Sequence, residues 1–152
     1  MPPASPLTPF PWLDLVVIVL LVCTNGLLAM SELAIVSARR PRLKALEKNG
    51  SKGATAALAL AADPGRFLSA VQIGITLMGI INGAYSGASL GTPVGDRLAL
   101  LGIETELAQS LGFALVIVLV TYMSLVIGEL VPKQFALRSP EKIAVLVARP
   151  MQ

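Results

Sequence analysis

The chain contains three long stretches without a charged residue, and polar segments separate them. Leu15–Ser31, Phe67–Gly95 and Leu107–Gly128 contain no Asp, Glu, Lys or Arg. A helix rises about 1.5 Å per residue, so each stretch is long enough to cross the roughly 30 Å hydrocarbon layer of a bilayer. We therefore predict an all-α membrane protein with transmembrane helices over about residues 14–38, 67–95 and 106–131.

The polar segments contain signals for shorter helices. A basic stretch, Arg42–Asn49, ends at an Asn-Gly pair, and the alanine-rich Gly53–Ala62 ends at an Asp-Pro-Gly turn signature. Together they predict a cytoplasmic helical hairpin, with a solvated connector as the alternative. After the third span, Ser139–Glu141 is typical of a helix start. The apolar residues beyond it predict a juxtamembrane amphipathic helix over about residues 139–149.

Glycines and a proline are expected to shape the second and third spans. Gly79, Gly83, Gly87 and Gly91 recur every four residues, which places them in one row along a helix. Small residues in such a row let helices approach closely in lipid, so the row predicts a packing or dimer seam. The second span is too long and glycine-rich for one straight helix, so a break that lines a site is the alternative, and both can hold. Pro132 is expected to end or kink the third helix.

Composition agrees with this class, and the basic residues predict the orientation. The chain is 55% hydrophobic and only 14% charged, with a mean hydropathy of +0.76, far above an ordinary soluble domain. Of its 12 Lys and Arg, seven lie between the first two spans and four follow the third, whereas none precedes the first. Because basic residues mark the cytoplasmic side, we predict an extracytoplasmic tail over residues 1–13 and a cytoplasmic C-terminus in the plasma (inner) membrane. A signal peptide is the alternative for the first stretch, but no basic residue precedes it.

Missing residue types exclude several chemistries. The chain has no His, so neither a zinc HExxH protease nor a Ser/His hydrolase can be assembled, and we predict that it is not an enzyme. Its basic residues are not interleaved with aromatic residues, a pattern that would indicate nucleic-acid binding. The net charge of +3 is therefore assigned to topology and to contact with the lipid bilayer, with no nucleic acid as partner.

Polar groups near membrane depth are the candidate functional chemistry. Glu129 closes the third span, where an ionisable residue usually faces an interior cavity. Pro132 lacks an N–H and so frees an upstream carbonyl, at Gly128 or nearby. Hydroxyl, amide, carbonyl and carboxylate oxygens suit Mg²⁺, Ca²⁺ or Na⁺. The candidate metal ligands are Ser31, Asn82, Ser86, Gly128 and Glu129.

Each of these residues also has a purely structural explanation. The hydroxyls of Ser31 and Ser86 are often bonded to their own helices. Asn82 is able to join two helices through its amide. Glu129 lies four residues before Lys133 and can form an ion pair with it. Their joint occurrence in three spans favours a cation site.

Three motifs resemble the transmembrane domain of CorC/cyclin M proteins. They are Met30–Ser37, Gln72–Leu77 and Gly128–Lys133, and the resemblance extends from about Leu15 to Met151. It implies a homodimer of three-span protomers that exports Mg²⁺, with Na⁺ as the candidate coupling ion. In that family, paired cystathionine-β-synthase modules that bind ATP usually follow the domain. We expect a domain boundary at the C-terminal end of this sequence, with such modules outside it, and ATP binding is expected only through them.

The resemblance also implies ligands for the ion. They comprise a hydroxyl, two polar side chains of the second span, a carbonyl and a carboxylate, from Ser31, Asn82, Ser86, Gly128 and Glu129. This chain departs from the family at one point. Animal members commonly have a Leu-Gly-Asn pattern earlier in the second span, whereas here Ile75 follows Gly74.

These observations lead to a hypothesis of alternating access. Mg²⁺ enters a pocket between the spans from the cytoplasm, and the second span moves against the third to release it outside. The main alternative is a membrane anchor and dimerisation module of a Mg²⁺-sensing protein that transports nothing. A channel is a third possibility.

Overall fold

The computed structural model describes residues 7–151, and nearly all of them are helical. Seven α-helices and one π-helical turn follow one another in this part of the chain, without a strand. Their bounds are α1 Trp12–Ser37, α2 Arg40–Lys48, α3 Lys52–Ala62, α4 Pro64–Ala99, α5 Thr105–Leu125, the π turn Val126–Leu130, α6 Val131–Arg138 and α7 Pro140–Ala148. Of the extracytoplasmic tail predicted over residues 1–13, residues 1–6 lie outside the described residues.

Three of these helical segments are long and apolar enough to cross a membrane. They are α1, α4 and the continuous segment Thr105–Arg138, which comprises α5, the π turn and α6. The predicted all-α membrane protein with three spans is thus confirmed. Pro132 does not end the third helix, because the π turn precedes it and it occupies the second position of α6, where its missing N–H is tolerated.

The second span is one continuous helix of 36 residues, so the alternative of a broken helix is wrong. Part of its glycine row packs against α5, which confirms a packing seam within the chain. A Cβ added to Gly87 would lie 2.8 Å from the Phe113 ring, and one added to Gly112 of α5 would lie 2.5 Å from the backbone N of Gly95. Gly79 and Gly83 have nothing within 4 Å of such a Cβ and lie outside the seam. A dimer seam stays a prediction.

Hydrogen bonds join the spans at the end that contains the N-terminus of α1. The Thr8 hydroxyl donates to Oδ2 of Asp96 at 2.6 Å, and Nε2 of Gln109 donates to Oδ1 of the same carboxylate at 2.7 Å. The Tyr85 hydroxyl donates to Oδ1 of Asp14 at 2.5 Å. The segment before α1 and α1 itself are therefore tied to α4, and the Asp96 carboxylate also ties α4 to α5.

Part of the hydrophobic core lies where α1 meets the shorter helices. Alanines dominate it, and their small side chains let α1, α3 and α7 pack closely. Ser51 and Asp63 cap α3 and α4 by accepting backbone N–H groups with their side-chain oxygens. The cytoplasmic side of α2 and α3 and the position of α7 at the membrane interface stay predictions.

Glu141 attaches α7 to the junction between α1 and α2. The predicted helix start is confirmed, but Ser139 makes no side-chain cap bond. Instead, Oε1 of Glu141 accepts the backbone N–H of Arg39 at 3.3 Å, and its Oε2 lies 3.8 Å from the Arg42 guanidinium. Its own backbone N–H, followed by that of Arg39 and by the charges of Arg42 and Arg39, lowers the pKa of this carboxyl against the opposing effect of burial.

We expect Gly112→Ala to destabilise the fold by about 1–3 kcal/mol, because the new Cβ would press on the backbone of α4. Its position would be 2.7 Å from Cα of Gly95 and 2.8 Å from the carbonyl oxygen of Gly91. The measurement is the midpoint of thermal unfolding, followed by circular dichroism in detergent. Gly83→Ala is the matched control, since its Cβ meets nothing within 4 Å. Equal midpoints for both variants would contradict the seam.

The stabilisation by Glu141 should depend on pH. Its pKa is lower in the folded than in the unfolded chain, so its contribution is full above the unfolded pKa and is lost as pH falls through the folded pKa. We expect Glu141→Gln to lower the unfolding midpoint at pH ~7, and the difference from wild type to shrink below pH ~4. Glu47→Gln, at an exposed position of α2, is the control. A pH-independent difference would refute the assignment.

Candidate functional site

A cavity of about 170 Å³ lies between the three spans. Each span contributes polar residues to its lining. They are Asn25 of α1, Asn82 of α4, Thr121 and Ser124 of α5, and Glu129 of the π turn. Gly79 and Gly83 form part of the same wall, so the half of the glycine row outside the seam borders this cavity.

Two residues of this lining contain a buried amide oxygen without a hydrogen-bond partner. Asn25 and Asn82 are only 6% and 3% exposed. In the described part of the chain, Oδ1 of each residue accepts no hydrogen bond. A buried polar atom left unsatisfied costs about 1–3 kcal/mol, so native proteins rarely retain one without a water or ligand to serve it. Both oxygens are therefore available to coordinate a cation.

The orientation of the Asn25 amide follows from the backbone of the π turn. The residue four positions after Gly128 is Pro132, which has no N–H to give the Gly128 carbonyl the usual α-helical bond. Nδ2 of Asn25 donates to this carbonyl at 3.0 Å. Only the nitrogen of an amide can donate, so this bond determines which end of Asn25 is the free oxygen.

Glycines bring α1 and the π turn close enough for this bond. A Cβ added to Gly26 would lie 3.1 Å from the Pro132 ring, and one added to Gly128 would lie 3.2 Å from the Val22 carbonyl oxygen. Both contacts are tighter than ordinary van der Waals distance, so glycine is favoured at both positions. The turn that carries Glu129 is thus held against α1.

Glu129 also forms the ion pair that the sequence suggested. Nζ of Lys133 lies 2.7 Å from Oε1 of Glu129, one helical turn away. The same ammonium lies 3.9 Å from Oε2 of Glu32 on α1. Since Glu129 lines the cavity as well, the ion pair and a role toward a cation are compatible.

The structure brings two of the five predicted ligands, Asn82 and Glu129, to the cavity. The other three lie outside its lining. Ser31 is fully buried and donates its hydroxyl to the carbonyl of Leu28 at 2.7 Å, whereas Ser86 donates to Gly83 at 3.1 Å. A hydroxyl that donates still has lone pairs for a cation. The metal-binding role of all five residues stays a prediction.

Three polar residues of the cavity are absent from the ligands predicted from sequence: Asn25, Thr121 and Ser124. Asn25 is an amide inside an uncharged stretch, the same signal that drew attention to Asn82. Thr121 and Ser124 lie three residues apart, a spacing that shares one helical face. A search for every polar residue within the spans would have found them.

The charge of the site is low. In residues 7–151, no group of three or more His, Cys, Asp or Glu is arranged to hold a metal ion. The cavity offers one carboxylate together with neutral amide and hydroxyl oxygens. This set suits a hard cation that is bound weakly enough to be released.

Comparison with known proteins gives consistent matches over nearly the whole chain. Residues 16–152 match the family model of the cyclin M transmembrane N-terminal domain. UPF0053 protein sll0260 of Synechocystis sp. is 48% identical over 139 residues, which cover 91% of this chain and 31% of that protein. UPF0053 protein YhdT of Bacillus subtilis is 34% identical over 144 residues, or 91% of this chain and 30% of that protein.

A further relative has a name that states an activity. The polyamine export protein of Haemophilus influenzae is 27% identical over 130 residues, which cover 86% of this chain and 30% of that protein. The chain spans about a third of the length of the curated relatives it matches.

We expect Asn25→Ala to lower the midpoint of thermal unfolding, by an amount equivalent to about 1 kcal/mol or more, because it leaves the Gly128 carbonyl without its donor. Thr24→Ala is the matched control. The Thr24 hydroxyl is exposed and bonds only to the carbonyl of Leu20 in its own helix. A loss of stability as large for Thr24→Ala as for Asn25→Ala would contradict the proposed link between α1 and the π turn.

Proposed function

The chain belongs to the cyclin M transmembrane N-terminal domain family, and on that premise we propose that it carries Mg²⁺ across the membrane. The resemblance noted in the sequence is thereby confirmed. One observation carries the proposal: oxygen groups from all three spans, including two unpartnered amide oxygens, border one cavity beside a carboxylate. Na⁺ coupling, a homodimer and a cytoplasmic C-terminus belong to the same proposal.

The size of the cavity supports a partly hydrated ion. Mg²⁺ gives up its water reluctantly and usually keeps several waters when proteins bind it. A water occupies about 30 Å³ in the liquid, so 170 Å³ has room for a small ion with some of its shell. Amide oxygens then bind either the ion or its waters, and Glu129 supplies the single negative charge.

Movement between the spans gives the alternating access of this proposal. Gly79 and Gly83 meet no neighbour that would oppose bending of α4 beside the cavity. The π turn departs from regular helix in the third span, and such turns occur frequently at functional sites. Release of the ion requires α4 and the third span to separate at the cavity, while the seam that contains Gly112 stays closed.

Transport assays distinguish the proposed transport from the rival function, which is a membrane anchor of a Mg²⁺ sensor. An anchor moves no ion even when its cavity is occupied. The Haemophilus relative is named for polyamine export, and a polyamine is also a cation. The cavity has one carboxylate and no aromatic side chain in its lining, which favours a small ion over a long ammonium chain.

We expect Asn82→Ala and Glu129→Gln each to weaken Mg²⁺ binding about tenfold or more, because each removes an oxygen or the charge from the cavity. Binding is measured by calorimetric titration of the purified chain, and flux by Mg²⁺ entry into proteoliposomes. Asn49→Ala, at an exposed turn after α2, is the control.

Three outcomes would contradict the proposal. Unchanged Mg²⁺ affinity in both variants would remove the cavity as the site. Binding without flux would support the anchor. Spermidine that displaces Mg²⁺ and crosses the vesicle membrane faster than Mg²⁺ would make a polyamine the cargo.

A further inference from the structure

Lys133 lies between two carboxylates that face different spaces. Its Nζ is 2.7 Å from Glu129 and 3.9 Å from Glu32. Glu129 lines the 170 Å³ cavity, whereas Glu32 lines a separate groove of about 640 Å³ along α4. A small shift of the Lys133 side chain would therefore transfer its charge from the cavity to the groove.

The three side chains are partly screened from solvent. Those of Lys133 and Glu129 are each 31% exposed, and that of Glu32 is 20% exposed. Their mutual attraction is thus stronger than that of fully exposed pairs, and an approaching cation experiences the ammonium directly. The triad has a net charge of −1, and only Glu129 belongs to the cavity.

We propose that Lys133 is a tethered counter-cation that neutralises Glu129 when the cavity holds no ion and moves to Glu32 when a cation binds. This inference rests on the proposed function, since it concerns the same cavity. Lys133 is then a positioning residue and does not ligate the ion. It keeps the Glu129 carboxylate paired within the third span, which limits the free-energy cost of placing a charge there. It also lowers cation affinity and so aids release.

The mechanism makes Glu32 and Lys133 energetically coupled. Without Glu32, a displaced Lys133 has no second carboxylate, so it competes more strongly with the incoming cation. Without Lys133, the loss of Glu32 removes only a more distant negative charge. The effect of Glu32→Gln on cation binding should therefore depend on which residue occupies position 133.

The test is a double-mutant cycle with Mg²⁺ alone as the probe, titrated calorimetrically into the purified chain. We expect Lys133→Gln to tighten Mg²⁺ binding about three- to tenfold, by removing the competing charge. Glu32→Gln should weaken binding about three- to tenfold with Lys133 present, and less than about twofold with Lys133→Gln. Lys133→Arg, which keeps the charge, should bind Mg²⁺ as wild type does.

Controls separate this role from a structural one. Lys48→Gln makes the same charge change at an exposed site in α2 and should leave Mg²⁺ affinity unchanged. Thermal midpoints without Mg²⁺ identify any variant that folds poorly, and Glu32→Gln tests the coupling from the other side of the pair.

The possible failures are distinguishable. Wild-type binding of Mg²⁺ with equal losses for Glu32→Gln in both backgrounds would overturn the Lys133 inference alone. An affinity for Lys133→Gln at or below that of wild type would do the same. Absence of Mg²⁺ binding by the wild type would overturn the proposed function and this inference together.

Discussion

A hydrogen bond between a side chain and a backbone carbonyl organises the part of the molecule that contains the candidate site. The hydrocarbon layer contains no water to form a hydrogen bond with a backbone group that its own helix leaves unpaired. Pro132 cannot donate the α-helical bond to the Gly128 carbonyl, and Nδ2 of Asn25 in α1 donates to this carbonyl. The same bond leaves the oxygen of Asn25, a residue of the cavity lining, without a partner and holds α1 against the turn that carries Glu129. The nitrogen of the Asn25 amide thus bonds to the Gly128 carbonyl, while the oxygen of the same amide is a candidate ligand.

The glycine row of α4 has two different uses along its length. In the half that contains Gly87 and Gly91, it admits α5 to within contact distance of the backbone. In the half that contains Gly79 and Gly83, no neighbour fills the space, and the cavity begins there. The row alone could not reveal this division, because glycine spacing is the same in both halves and only the side chains of α5 distinguish them.

The general fold was predictable from the sequence, whereas the membership of the site was not. Uncharged stretches of the required length indicate spans regardless of tertiary detail, and turn signatures indicate the short helices between them. The role of Asn25 depends on its hydrogen bond to Gly128, 103 positions later in the chain. No local sequence pattern indicates such a pairing. By contrast, the bonds of the Ser31 and Ser86 hydroxyls to their own helices are the structural explanation that serine within a helix predicts. The continuity of α4 was missed because its glycines were expected to weaken the helix, although packing against α5 supports the part of α4 that contains Gly87 and Gly91.

The close approach of α4 and α5 has a mechanical consequence. Where Gly112 contacts Gly95, backbone touches backbone, and there is no side chain whose rotation could open or narrow the contact. The polar ties of Asp96 to Thr8 and Gln109 reinforce the same end. In the proposed alternating access, that end would therefore stay closed, and α4 and α5 would separate at the other end, beside Gly79 and Ser124.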